Sequence, residues 1–172
     1  MKKVLFLIFL IFSAVEVMAM EVEIPVFKNG EIIPKIYTCE GEDVSPPIRW
    51  SNFPKEAKSF VIIMEDPDAP MGVFTHWIVY DIPTNINSLL ENFPKKPQVE
   101  EIKQGINDFG KIGYGGPCPP KGHGYHRYYF KIYALNIEKI GLPAGAKRRD
   151  LLNRIRSHII AEGEVVGRYK RD

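Results

Sequence analysis

The sequence predicts a mainly β domain with one late helix, and three stretches carry that prediction. His126 to Leu135 (HRYYFKIYAL) alternates with period two: His126, Tyr128, Phe130, Ile132 and Ala134 share one face, and Arg127, Tyr129, Lys131, Tyr133 and Leu135 the other. Ser59 to Glu65 (SFVIIME) is a short unbroken apolar run, the pattern of a strand covered on both faces. Lys147 to Glu162 instead spaces Leu151, Leu152, Ile155 and Ile159 three and four apart. That period predicts an amphipathic helix, with Gly163 as its C-terminal cap.

The other elements follow in chain order. Val22 to Phe27 (VEIPVF) alternates but contains Pro25, which has no N–H for a ladder, so it reads as an edge strand. His76 to Ile82 (HWIVYDI) is rich in aromatic and β-branched residues and stops at Pro83. Gly163 to Tyr169 (GEVVGRY) reads as a final short strand. Residues 40–58 and 107–125 are rich in Gly and Pro without the low hydrophobicity of disorder, and read as ordered loops. Nothing divides Met20 to Asp172, which is expected to form one domain.

Residues 1–19 stand apart. Lys2 and Lys3 precede an apolar stretch from Val4 to Val15, and Val17 and Ala19 occupy the −3 and −1 positions of a small-residue cleavage site. That succession predicts a secretory signal peptide, cleaved after Ala19. The apolar stretch is shorter than the roughly 20 residues that span a bilayer, so no stable membrane insertion is expected after cleavage. A retained anchor is the alternative. Export to a periplasmic or extracellular compartment makes a Cys39–Cys118 disulfide an expectation.

Composition removes several function classes. The chain has 172 residues, 23 Lys+Arg against 21 Asp+Glu and a net charge of +2, without the clustered basic excess of a nucleic-acid binder. Two cysteines cannot make a four-cysteine zinc site. No G-x-S-x-G, H-E-x-x-H or G-x-x-x-x-G-K-[ST] occurs. Cys118 is flanked by prolines and has a second cysteine to pair with, which argues against a catalytic thiol.

Three polar clusters sit at strand ends. In Asp66-Pro67-Asp68-Ala69-Pro70 two prolines stiffen a turn that holds two carboxylates. His76-Trp77 opens the next strand, at the same end as Asp66, and a carboxylate accepting from one imidazole nitrogen would aim the other outward. Residues 115–128 (GGPCPPKGHGYHRY) combine glycines, whose N–H groups approach a ligand closely, with prolines that hold the loop in shape. Asp66, Asp68, His76 and His126 also match the residue types of a two-histidine, two-carboxylate metal site. His158, on the flank of the late helix, reads as a packed structural histidine.

In their order, DPDAP, HW, GPCPPKG and HRY resemble the phosphatidylethanolamine-binding protein family, also called Raf kinase inhibitor-like, and in particular its prokaryotic branch. Tyr37 to Trp50 (YTCEGEDVSPPIRW) and His158 to Tyr169 (HIIAEGEVVGRY) extend the resemblance over nearly all of the expected mature chain. It implies an antiparallel β-sandwich-like core with a few peripheral helices and a small anion pocket at one end. Asp66, His76, Pro119, Pro120, His126 and Tyr128 would line that pocket, Asp68 and Pro70 would shape the turn, and no metal or cofactor is implied.

The resulting expectation is a non-catalytic protein that binds a phosphate or phosphoethanolamine-type headgroup. Phosphate would face imidazole and backbone N–H donors, and an amine would face Asp66. The alternative is an inhibitor or modulator of a protein partner such as a peptidase. The stretch between Pro70 and His76 is shorter than in animal members and the chain stops soon after Tyr169, so kinase inhibition is not carried over.

Overall fold

The computed structural model describes residues 17–172. Ten strands and one α-helix follow in chain order: β1 (Met18–Ala19), β2 (Glu21–Glu23), β3 (Ile48–Ser51), β4 (Ser59–Asp66), β5 (Phe74–Pro83), β6 (Ser88–Leu89), β7 (Gln98–Val99), β8 (Ile102–Gln104), β9 (His126–Leu135), α1 (Arg148–Ile155) and β10 (Ile159–Tyr169). A seven-stranded sheet runs in the order β1-β10-β9-β4-β5-β8-β7, and a three-stranded sheet in the order β2-β3-β6. Strands β10, β9, β4 and β5 pair antiparallel with one another in that order, while β1 joins β10 in parallel.

The apolar pattern places β4. All eight of its residues are buried, because it lies between β5 and β9 with a layer on each face. Phe60, Ile62 and Met64 join Trp77, Val79, Phe130 and Ile132 in a core that the small sheet closes with Ile48, Trp50 and Leu89. Val61 and Ile63 face the other way and meet Ile78, Tyr80, Leu135 and the helix residues Leu151 and Ile155. Burying each such side chain is worth about 1.5–3 kcal/mol, so this two-sided pattern dominates the placement of the central strands. The β9 alternation holds: Tyr128, Phe130, Ile132 and Ala134 pack into the first core, and Arg127 is exposed on the opposite face.

Several expected boundaries move. The helix stops at Ile155, and Ile159 to Gly163 belong to β10, so Gly163 is not a helix cap. A Cβ at Gly163 would lie 2.5 Å from the Met20 carbonyl oxygen, so the glycine lets the N-terminal strand segment approach β10. The expected strand from Val22 to Phe27 stops before Pro25, leaving β2, Glu21–Glu23, at the edge of the small sheet. Residues 40–58 contain β3, whose buried Ile48 and Trp50 alternate with exposed Arg49 and Ser51.

Most of the expected signal peptide, residues 1–16, lies outside the described residues. Of its remainder, Met18 and Ala19 pair with Ala161 and Glu162, and Val17 and Met18 are exposed, whereas Met20 is buried in the core. No helix among the described residues is long and apolar enough to cross a membrane. Cys39 and Cys118 are bridged, with their Cα atoms 5.4 Å apart.

Candidate functional site

The C-terminal end of β4 and the N-terminal ends of β5 and β9 meet at one end of the central strands of the large sheet. Asp66 continues the alternation of Phe60, Ile62 and Met64 and faces the first core side. Tyr128 comes to the same side from β9, two residues after His126. Alternation alone would put His76 with Ile78 and Tyr80 on the helix side. The register shifts by one between the pairs Met64–Trp77 and Glu65–Thr75, which leaves His76 as the extra residue of a β-bulge. The bulge re-aims its ring onto Tyr128, edge to face with centroids 5.2 Å apart.

Asp66, His76 and His126 are 3%, 3% and 2% exposed, and the Tyr128 side chain is fully covered. Each imidazole has a defined partner. His76 Nδ1 lies 2.7 Å from the Gly115 carbonyl oxygen. A carbonyl only accepts, so Nδ1 carries the hydrogen, and in the neutral ring Nε2 is an acceptor. Burial lowers the His76 pKa from the ordinary value, against the opposing pull of Gly115 O and the Asp66 and Asp108 charges. Phe74 and Phe109 pack against the ring at 5.0 and 5.4 Å between centroids.

Asp66 engages His126 rather than His76. Its Oδ2 accepts from His126 Nδ1 at 2.7 Å, and its Oδ1 accepts from the Asp68 backbone N–H at 2.7 Å. The expected carboxylate–imidazole pair therefore exists with the other histidine, and His76 is oriented by backbone instead. Asp68 turns away: its carboxylate accepts from Arg127 Nε and Nη2 at 2.9 Å each, and from the Arg127 N–H at 2.9 Å. The Arg127 guanidinium holds the Asp68 carboxyl below its usual range. Among the described residues no group of three or more His, Cys, Asp or Glu is arranged to hold a metal ion.

The Tyr128 hydroxyl is the unspent group. It is buried against the Asp66 carboxylate, yet makes no hydrogen bond of normal geometry. Burial first, and then the Asp66 charge, push its pKa far up, so it remains a protonated donor. Pro119 is buried and Pro120 exposed in the loop that the Cys39–Cys118 bridge fastens. Pro70 is exposed at the β4–β5 turn.

One residue of this end was not singled out from sequence. His123 Nδ1 lies 2.7 Å from His126 Nε2, which makes a chain of Asp66, His126 and His123. The signal for it was present: a second histidine three residues before His126, between two glycines, in a loop already marked as a ligand cradle. His158 sits in the turn after α1 rather than on the helix, half-buried, with its Nδ1 3.0 Å from Asn136 Oδ1.

Arranged this way, the strand end offers one buried O–H donor, one imidazole acceptor and one imidazole held by a carboxylate. That set suits a small oxyanion that retains a proton: its O–H donates to His76 Nε2, and Tyr128 donates to its oxygen.

Comparison with known proteins matches residues 23–170 to the phosphatidylethanolamine-binding protein family model. A UPF0098 protein of Aquifex aeolicus is 61% identical over 153 residues, covering 89% of this chain and 90% of the relative. Among solved structures, a putative phosphatidylethanolamine-binding protein homologue of Chlamydia trachomatis superposes with a TM-score of 0.80 at 41% identity, covering 90% of this chain and 99% of that one. E. coli YbcL, described as a member of the mammalian PEBP family, gives 0.83 at 33%, covering 89% and 99%. A carboxypeptidase Y inhibitor complexed with its cognate proteinase gives 0.52 at 17%, covering 90% and 83%, a likeness of fold alone.

Proposed function

This chain belongs to the phosphatidylethanolamine-binding protein family, and from that premise and the geometry of the strand-end cluster we propose that it binds a small oxyanion, free or as a phospholipid-type headgroup, without turning it over. The observation that carries the reading is the Tyr128 hydroxyl, buried beside His76 and Asp66 without a hydrogen bond of normal geometry in the protein. A buried polar group without a partner costs roughly 1–3 kcal/mol, and an anion oxygen supplies the missing bond. Both Asp66 oxygens already accept a hydrogen bond, so the anion half of a headgroup is what the cluster lacks. The protein carries the residues it needs for this in place: His76 set by Gly115, and His126 set by Asp66.

Tyr128→Phe tests it. Calorimetry with phosphate and phosphoethanolamine should show weaker binding by the variant, by about 1 kcal/mol for a hydroxyl–anion bond set against its loss to water. Thermal stability should stay level or rise, because the variant deletes an unpaired buried group. Equal affinity in both proteins would remove Tyr128 and the pocket from the proposal. Release of inorganic phosphate from phosphoethanolamine would show turnover and overturn the non-catalytic part. The fold is also that of a carboxypeptidase Y inhibitor, which supports a peptidase partner as a second reading. Retained peptidase inhibition by a protein saturated with phosphate would place that partner away from the cluster.

A further inference from the structure

His123 stands where the proposed ligand would have to go. Its Nδ1 is 2.7 Å from His126 Nε2, the nitrogen of His126 that Asp66 leaves free. Two nitrogens at that distance share one hydrogen. When His126 holds it, His126 is an imidazolium paired with Asp66, and withdrawal of His123 leaves an N–H aimed into the cluster. When His123 holds it, His126 Nε2 is an acceptor and repels an anion oxygen. In the first arrangement the contact occupies the donor that a phosphate oxygen needs, and in the second that donor is absent.

The loop around His123 is built to release it. Gly122 and Gly124 flank it with φ of +73° and +87°, and a Cβ at either would meet nothing within 4 Å. His123 is exposed, whereas His126 is buried. The backbone is tethered on the N-terminal side of this pivot: the Gly122 N–H donates to the Arg171 carbonyl and the His123 N–H to the Pro120 carbonyl. The bond to His126 is the one hydrogen bond of the His123 ring among the described residues. An exposed side chain between two glycines, held by one hydrogen bond and an edge-to-face contact with His126, moves without unfolding anything else.

We propose that His123 is a gate on the oxyanion pocket: in the empty protein its imidazole takes the place of the ligand at His126 Nε2, and an anion binds by displacing it. This rests on the pocket reading above and adds an internal competitor to it. Removing the competitor should tighten binding, because the ligand no longer has to break the imidazole–imidazole bond.

The test is calorimetry of the wild type, His123→Ala and His126→Gln, with inorganic phosphate in one arm and phosphoethanolamine in the other. His123→Ala should bind phosphate roughly threefold to tenfold more tightly, the range for loss of one competing hydrogen bond. Its unfolding midpoint should fall by no more than the loss of one hydrogen bond, since the His123 side chain is exposed. A parallel gain in the phosphoethanolamine arm extends the gate to headgroups; a gain with phosphate alone confines it to the free anion. The nitrogen chemical shifts of His126 should change in His123→Ala without ligand, which reports the broken contact directly. Equal or weaker phosphate binding by His123→Ala, with binding lost in His126→Gln, would overturn the gate and leave the pocket standing. Phosphate binding by none of the three proteins would overturn the pocket and the gate together.

Discussion

Glu65 and Asp66 are neighbours on β4, and their surroundings differ in one respect that matters. Glu65 faces the helix side, where Lys131 Nζ lies 2.5 Å from one oxygen and Arg148 Nε 2.7 Å from the other. Burial alone would raise the Glu65 carboxyl, but the two cations outweigh it and hold it below its ordinary value. Asp66 faces the opposite side with no cation of fixed charge bonded to it; an imidazole and a backbone N–H hold it. Beside it lie a hydroxyl without a partner and an imidazole with a free nitrogen. Glu65 is closed by the protein's own charges, whereas the Asp66 end has bonds left to make. The saturated network staples the fold, and the unsaturated one is where we propose that the ligand binds.

The largest expected effect tests what holds the unsaturated end in shape. Replacing Cys39 and Cys118 together by Ser opens a loop with a sequence separation of 79 residues. Chain entropy puts that at about 4 kcal/mol, to be read as a lower denaturation midpoint under non-reducing conditions. The bridge fastens Pro119, Pro120 and the loop towards His123, so anion affinity should fall with it, and a variant that kept full affinity would uncouple the pocket from the loop.

Next is Glu65→Gln. It leaves two partly buried cations facing a neutral amide, at a cost of about 2–3 kcal/mol, below the full price of a deeply buried pair because Lys131 and Arg148 keep some solvent. Phosphate affinity should not change. Tyr128→Phe should give the opposite pattern, weaker binding by about 1 kcal/mol and no loss of stability. If both variants moved both properties, the contrast between the two carboxylates would fail.

The smallest effect is in pH. His76 has a folded-state pKa below its ordinary 6.5, so the unfolded chain takes up the proton first. The stability owed to a neutral, buried His76 is therefore complete above 6.5 and is lost as pH falls through the lower folded value. Denaturant titrations across that window should show stability falling with acid in the wild type and a flatter profile in His76→Phe. Added phosphate should reduce the acid loss in the wild type, because an anion oxygen at Nε2 favours the protonated ring.

Much of this was legible along the chain. The burial of β4 on both faces and the two faces of β9 are properties of local patterns, and both are realised. Prolines and strand starts mark where the chain turns, which puts Asp66, His76 and His126 at strand ends; Tyr128 joins them only through the family resemblance. The helix was overread because Ile159 falls on the helical period by coincidence; cross-strand pairing with Leu135 takes that residue instead. The strand of Ile48–Ser51 was hidden in a proline-rich stretch, since four residues carry too little period to stand out.

By itself, the sequence determined which residues are apolar at which spacing, and hence the central strands, their buried faces and the family to which the ordered motifs point. Only the tertiary structure decided which histidine Asp66 holds, that a one-residue bulge turns His76 onto Tyr128, and that His123 rests on His126. The reason is physical: periodicity is a relation between near neighbours, whereas the Asp66–His126 bond joins residues 60 apart and the bulge exists only in the register between two strands.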